Sequence, residues 1–137
     1  MKNTTIFDCP VIEIVKHYND AGSIAVIENG KSFPFEVNRV FYLYDVPGGE
    51  QRGGHAHKQL DQFIIAASGS FDVVLSDGNM KRTVSLNRPN YGLLLAHGIW
   101  GELNNFSSGA ICLVLASKKY DESDYIRNYN DFLEYKK

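Results

Sequence analysis

Residues 49–69 read GEQRGGHAHKQLDQFIIAASG, a glycine-rich loop followed by a His-X-His pair and an apolar run. Alternate side chains of an extended segment point to the same face, so the rings of His55 and His57 are expected to lie side by side. Neighbouring imidazoles can bind a metal together or share acid-base work. The preceding glycines let the backbone curl, and Arg52 brings a bidentate anion donor to the same rim.

Short runs rich in β-branched and aromatic residues lie on both sides of this segment, separated by Gly, Asn, Asp or Pro. Turn signals at 67–70 and 76–79 predict hairpins and therefore antiparallel strands. This pattern indicates an all-β protein, a jelly roll or a small barrel. The predicted strands cover residues 11–17, 23–28, 39–46, 62–67, 70–76, 81–86, 92–96 and 110–117.

The pattern changes near the C-terminus. Over residues 121–135 the apolar side chains recur at steps of three and four, which predicts one amphipathic α-helix with Asp121 and Ser123 available as N-terminal caps. We expect this helix to pack onto a β-barrel formed by residues 1–118, so that residues 1–137 make a single domain.

The composition excludes several classes of protein. With 137 residues, 44% of them hydrophobic, the chain can bury an adequate core. A net charge of −2 and no Lys/Arg cluster longer than a pair argue against nucleic-acid binding. No apolar run approaches the roughly 20 residues of a membrane span. Cys9 and Cys112 lie far apart, so we expect incidental thiols and a reducing cytoplasm.

The spacing of residues 49–69 resembles the first of the two motifs of the cupin superfamily, except that Gln62 stands where the motif has Glu. The second motif is matched only in outline, because Gly101 stands where it has His. The matching positions are Gly49, His55, His57, Gln62 and Gly69 in the first motif, and Ala96, Gly98, Gly101 and Asn105 in the second.

These two departures affect the chemistry. A cupin metal site uses three His and one Glu, whereas Gln62 is a neutral, poorer ligand and Gly101 has no side chain. His97 lies four residues before the lost position, and Asp61 would point to the opposite face of its strand. We therefore expect no metal and no cofactor. The histidines then titrate near an ordinary pKa of about 6.5, which suits proton abstraction and donation.

Four segments spread along the chain are similar to the WxcM-like cupins, which are nucleotide-sugar 3,4-ketoisomerases. The resemblance implies a metal-free jelly roll and a homodimer with exchanged N-terminal strands. It also implies isomerisation of dTDP-4-keto-6-deoxyglucose to a dTDP-3-keto-6-deoxyhexose through an enediol, in the biosynthesis of 3-amino-3,6-dideoxyhexoses for surface polysaccharides. The segments are RGGHAHK (52–58), GSFDVVLSDG (69–78), LNRPNYGLLL (86–95) and LVLASKKYDESDYIRNYNDFL (113–133).

The same resemblance assigns roles to individual residues. His55 and His57 are the catalytic pair, and we favour His57 as the base at C3 with His55 assisting, although the sequence leaves the order of proton transfers open. Arg52 is expected to face the pyrophosphate or the sugar oxygens. The other candidates for substrate contact are Gln62, Tyr42, Asn90 and Trp100. The alternative for Gln62 is to brace His55 or His57, and the alternatives for the last three are packing or turn roles.

Other functions stay open at this point. They are a dTDP-sugar 3,5-epimerase-like enzyme, a non-catalytic sugar-nucleotide-binding cupin and a metal-dependent dioxygenase. Gly101 follows Trp100 at a position where the family often has a polar side chain, so the configuration of the product at C4, gluco or galacto, is also open.

Overall fold

Two five-stranded antiparallel sheets form the body of the protein in the computed structural model, which describes residues 3–31 and 33–137. Within these ranges no helix is long and apolar enough to cross a membrane. The strands are β1 (Val11–Glu13), β2 (Val15–Asn19), β3 (Gly22–Val26), β4 (Arg39–Leu43), β5 (Arg52–His57), β6 (Gln62–Ser68), β7 (Phe71–Ser76), β8 (Lys81–Leu86), β9 (Tyr91–Leu95), β10 (Trp100–Asn104), β11 (Ile111–Ala116) and β12 (Tyr125–Ile126), and the α-helix α1 is Tyr129–Lys136.

The first sheet has the strand order β1-β9-β6-β11-β4 and the second the order β12-β5-β10-β7-β8. Strands β2 and β3 form a separate N-terminal hairpin. Every pair of neighbouring strands is antiparallel, which confirms the predicted all-β fold with its C-terminal helix.

The core lies between the two sheets because alternate residues of each strand point inward. Phe71, Val73 and Leu75 from β7 meet Leu93 of β9 and Cys112 of β11, and all five are at most 1% exposed. At one end of the sandwich the same inward positions carry polar side chains, and this is where the functional site lies.

The outer faces of the sheets are covered by different elements. Helix α1 packs Phe132 against Trp100 and Ala56 on the second sheet. On the first sheet Ile14 and Phe63 pack with apolar residues of the segment that follows the N-terminal hairpin.

Two glycine-containing strands escaped the sequence prediction. Strand β5 carries the His-X-His pair but begins with Arg52-Gly53-Gly54, and β10 contains Gly101 among polar residues. Glycine has a low propensity for β-strands, so these segments are not predicted as strands from their sequence. In the structure they are stabilised as strands by pairing with their neighbours. The predicted strand over 11–17 is two strands, broken at Ile14, whose side chain is buried.

The predicted helix over 121–135 begins later than expected. Its first part forms a 3-10 turn at Glu122–Asp124, capped by Asp121, and then strand β12, and α1 starts only after Asn128, whose side chain accepts from the Asp131 amide. The extended conformation of 125–126 is favoured because it pairs with β5 and buries Ile126.

Gly92 of β9 provides a test of the packing between strands. A Cβ at this position would overlap the ring of buried Phe63 on β6, so Gly92→Ala is expected to destabilise the protein by about 1 to 3 kcal/mol. Gly48→Ala is the control, because a Cβ there meets no atom within 4 Å. Urea unfolding of both variants measures the difference, and equal stabilities would contradict the packing described here.

Candidate active site

A cavity of about 490 Å³ opens between the sheets, beside the inward face of β5. Its apolar walls include Phe41, Leu43, Ile64 and Leu95. The polar and aromatic side chains that line it are Arg39, Arg52, His55, Gln62, Tyr120, Tyr125 and Arg127. Apolar walls with a few convergent polar groups are typical of a small-molecule site.

Strand β5 places both histidines on one face, as predicted, with ring centroids 4.9 Å apart and planes at 88°. Gly53 and Gly54 have positive φ values of 86° and 77°, a conformation that favours glycine. A side chain at Gly53 would also approach the Gly101 carbonyl oxygen to 3.1 Å. The two glycines thus let the chain curl closely against β10 before the histidines.

His55 faces the cavity and is half-buried. In the neutral imidazole of His55 one ring nitrogen is a donor and the other is an acceptor. Burial lowers the pKa of His55 below its ordinary value, and the nearby Arg127 guanidinium lowers it further. A neutral imidazole with one free acceptor nitrogen at a cavity wall is equipped to take a proton.

His57 has a different environment. It is 4% exposed and does not line the cavity, and neither ring nitrogen has a hydrogen-bond partner among the described residues. Burial, followed by the neighbouring His55 and Arg39, lowers its pKa to about 3. The ring is therefore neutral at pH 7, and its approach to 3.5 Å from the Asp124 carboxylate is not an ion pair.

The C-terminal arm, residues 120–127, covers this pair of rings. Tyr125 of β12 lies opposite His57 in the strand pairing, and its ring centroid is 4.2 Å from that of His57 and 5.1 Å from that of His55. The sequence pattern predicts a helix over this arm, so these contacts were not predicted, although the arm lies within the segment 113–133 that carries the family resemblance.

Three guanidinium groups, from Arg39, Arg52 and Arg127, line the cavity. Arg39 was not predicted. Its guanidinium carbon lies 4.9 Å from the centroid of the Phe41 ring and 5.5 Å from that of the Tyr120 ring. Its Nε is buried and has no hydrogen-bond partner in the described structure. Guanidinium groups match the geometry of phosphate oxygens, so three of them at one cavity suit a phosphate ligand.

The two positions that depart from the cupin motif both line the cavity. Gln62 is 6% exposed, and Gly101 pairs directly with His55 across the β5–β10 ladder. The space beside Gly101 is occupied by Leu95, whose Cδ2 lies 2.9 Å from where a Cβ would be. In the described ranges no three His, Cys, Asp or Glu side chains are grouped as a metal site requires.

Three predicted substrate contacts lie outside the cavity. Tyr42 is 59% exposed, because its neighbours Phe41 and Leu43 take the inward positions of β4. Trp100 points to the outer face of β10, where it packs under α1 and donates to Glu102. Asn90 is buried in the turn before β9, where its backbone carbonyl accepts from the Ile14 amide.

The remaining polar candidates have structural roles. Asp61 points away from Gln62, as expected, and accepts from the ring and the backbone amide of His97 at 2.7 and 2.9 Å. Asn105 adopts a φ of 55° and donates to Asp72, which fixes its loop.

The family model FdtA, WxcM-like, C-terminal, matches residues 7–137 of this chain. The chain belongs to this WxcM-like family. The motifs quoted from the sequence thus identified the correct family.

This WxcM-like protein is 43% identical over 125 residues to TDP-4-oxo-6-deoxy-alpha-D-glucose-3,4-oxoisomerase of Aneurinibacillus thermoaerophilus, a match that covers 91% of this chain and 90% of the relative. A 3,4-ketoisomerase from Helicobacter canadensis matches with a TM-score of 0.91 and 43% identity, over 94% of this chain and 97% of the other. A histidine-to-asparagine mutant of the 3,4-ketoisomerase QdtA from Thermoanaerobacterium thermosaccharolyticum, in complex with TDP-4-keto-6-deoxyglucose, matches with a TM-score of 0.91 and 34% identity, over 93% of each chain. The sandwich fold is shared by proteins of this activity.

The pKa of His57 should be far below that of an ordinary histidine. We expect the His57 ring to stay neutral until the pH approaches about 3, whereas an ordinary histidine titrates near 6.5. The unfolded chain protonates His57 near pH 6.5, whereas the folded protein protonates it only near pH 3. The contribution of neutral His57 to the free energy of unfolding is therefore complete above about pH 6.5 and is lost as the pH falls from there toward 3. Nitrogen NMR of the imidazoles and thermal unfolding across this range are the measurements. A His57 ring that titrates near 6.5 would refute the burial argument.

Proposed function

We propose that this protein is a nucleotide-sugar 3,4-ketoisomerase that converts TDP-4-keto-6-deoxyglucose to a TDP-3-keto-6-deoxyhexose. The observation that carries the proposal is the half-buried His55, held neutral at the wall of a cavity beside a second histidine. The relatives that are 34% to 43% identical are 3,4-ketoisomerases or a 3,4-oxoisomerase, which supports an isomerase over an epimerase-like enzyme.

The charge of the cavity supports a nucleoside diphosphate ligand. Arg39, Arg52 and Arg127 line it, and Glu122 neutralises only the last of these, through two hydrogen bonds. We assign the diphosphate to Arg39 and Arg52, because both line the cavity, a guanidinium group matches phosphate oxygens, and Glu122 does not neutralise either of them. Gln62, at the neighbouring wall, is the candidate for a hydrogen bond to the sugar.

For the proton transfers we propose the reverse of the roles expected from the sequence. His55 is the base at C3, because it lines the cavity and has an acceptor nitrogen. His57 lies behind it, buried and outside the cavity lining, and supports the His55 ring by edge-to-face contact. A general base has to come within hydrogen-bond reach of the proton that it removes, and the His55 position meets this condition better.

The reaction moves a ketone from C4 to C3 without net oxidation. His55 takes the proton from C3, the C–H electron pair forms the C3=C4 double bond, and the C4 carbonyl oxygen takes a proton to give an enediol. The C3 hydroxyl then loses its proton and becomes the new carbonyl as C4 receives a proton. One proton leaves carbon and one returns, so the step needs neither an oxidant nor a reductant.

Replacement of the base gives a direct test. His55→Asn keeps a polar side chain and removes proton acceptance, so isomerisation should fall by about 10² to 10⁴. TDP should still raise the melting temperature, because other groups hold the nucleotide. TDP-4-keto-6-deoxyglucose is incubated in deuterated water and followed by NMR. The measurement is deuterium incorporation at C3 of the remaining substrate and at C4 of the product.

Two further variants serve as controls for that experiment. His97→Asn changes a histidine that is bonded to Asp61 outside the cavity, and turnover should be retained. His57→Asn should lose less activity than His55→Asn. A His55→Asn protein that exchanges the C3 proton at the wild-type rate would end the assignment, and wild-type protein that binds TDP without any exchange would favour the non-catalytic alternative.

We further propose that the protein is a homodimer in which N-terminal strands are exchanged. In support, the hairpin β2–β3 presents Val15, Tyr18 and Ile24, each more than 60% exposed. Strand β4 is an edge of the first sheet and exposes Tyr42, and Tyr44 is exposed just after the strand ends. Apolar patches beside an unpaired strand edge are features that a second copy of the chain would cover.

Ile24→Glu tests the proposed dimer. A charge in the centre of this apolar face should weaken dimerisation by at least about tenfold, since burial of an isoleucine contributes roughly 1.5 to 3 kcal/mol. Met80→Glu is the matched control on the distant β7–β8 turn, at 39% exposure. Light scattering is the measurement, and a wild-type mass of only 15.4 kDa at micromolar concentration would contradict the dimer.

We also propose a cytoplasmic location, as the sequence predicts. Cys9 and Cys112 are both buried free thiols, which is the state expected in a reducing compartment.

A further inference from the structure

The C-terminal arm carries an ion pair beside the Tyr125 ring, which lies against the ring of His55. Arg127 Nε and Nη2 donate to the two carboxylate oxygens of Glu122 at 2.7 and 2.8 Å. The guanidinium carbon lies 4.2 Å from the centroid of the Tyr125 ring, and that ring is 5.1 Å from the ring of His55. The Tyr120 hydroxyl donates to the same Glu122 carboxylate at 2.7 Å. A cation and an anion are thus held at fixed positions beside one imidazole.

Few other charged groups face His55 from the elements packed around it. On β5 itself the charged group is Arg52, since His57 is neutral, and across the cavity β4 contributes Arg39. Strand β6 presents the uncharged Gln62, and β10 presents Gly101, which has no side chain. The Glu102 carboxylate of β10 is engaged on the outer face by Trp100 and Gln51.

We propose that Glu122 and Arg127 form a charge-balanced positioning device beside His55, in which the Tyr125 ring holds the Arg127 guanidinium next to the imidazole and Glu122 neutralises that guanidinium. The inference rests on the function proposed above, in which His55 is the base. It explains why an ion pair that is more than half exposed is nevertheless made bidentate and stacked on an aromatic ring. Exposed pairs contribute little to stability, so this geometry is better understood through its electrostatic effect on the neighbouring ring.

The signs of the two charges give the proposal a distinctive test. Arg127→Gln removes the cation and leaves Glu122 alone, which stabilises protonated His55, so its titration midpoint should rise. Glu122→Gln leaves Arg127 uncompensated on the Tyr125 ring, so the midpoint should fall. Each shift should be roughly half a pH unit, the size expected for one charge acting through partly hydrated protein. The double variant should titrate close to wild type.

Two measurements are needed. NMR titration of the His55 ring in the free enzyme reports the midpoint without any substrate. The acidic limb of kcat/KM against pH should follow it, moving to higher pH in Arg127→Gln and to lower pH in Glu122→Gln. A purely structural role predicts no opposition of sign, because either substitution breaks the same ion pair.

The matched controls are Lys137→Gln and Glu134→Gln, which break an exposed ion pair of 2.8 Å and change the net charge by the same amounts. Neither should move the His55 midpoint. The proposal would be overturned if Arg127→Gln and Glu122→Gln shifted the His55 midpoint in the same direction or not at all. Equal shifts in the two controls would also overturn it. Opposed NMR shifts without ketoisomerase turnover in wild type would instead refute the proposed function and leave the electrostatic role standing.

Discussion

The pairing of β12 with β5 is the interaction on which the functional site depends. It involves only two residue pairs, Tyr125 with His57 and Ile126 with Ala56. Because β12 covers the edge of β5, it removes His57 from water and lays the Tyr125 ring against both imidazoles. The same two residues lead into Arg127, so a short antiparallel ladder determines both the desolvation and the local charge of the histidine pair.

Polar groups without partners are concentrated at this site. In the described structure the buried side-chain atoms that lack a hydrogen-bond partner belong to Arg39 and His57 alone. An unsatisfied buried polar group typically costs about 1 to 3 kcal/mol, and such costs are common where a protein needs preorganised chemistry. The apolar core, with Phe71, Val73 and Leu75 almost fully buried, offsets them.

The sequence determined much of this arrangement. Period-two alternation identified the strongly apolar strands, and the His-X-His spacing placed two rings on one face, because both depend only on local geometry. The inward face of a strand could not be assigned without the partner sheet, so Tyr42 and Trp100 stayed candidates for either substrate contact or packing, and in the structure both side chains face outward. Arg39 was missed because nothing in its local sequence shows that β4, in the other sheet, lines the same cavity as β5.

Leu95 and Gly101 share one volume at the cavity wall. They lie on different strands of opposite sheets, and the space that a side chain at 101 would need is the space that a Leu95 methyl occupies. Substitutions at the two positions are therefore not independent: a polar residue at 101 fits well only after Leu95 has become smaller or has changed rotamer. The shape of this wall therefore depends on Leu95 and Gly101 jointly, and the effect of a new side chain at 101 depends on where the Leu95 methyl groups lie.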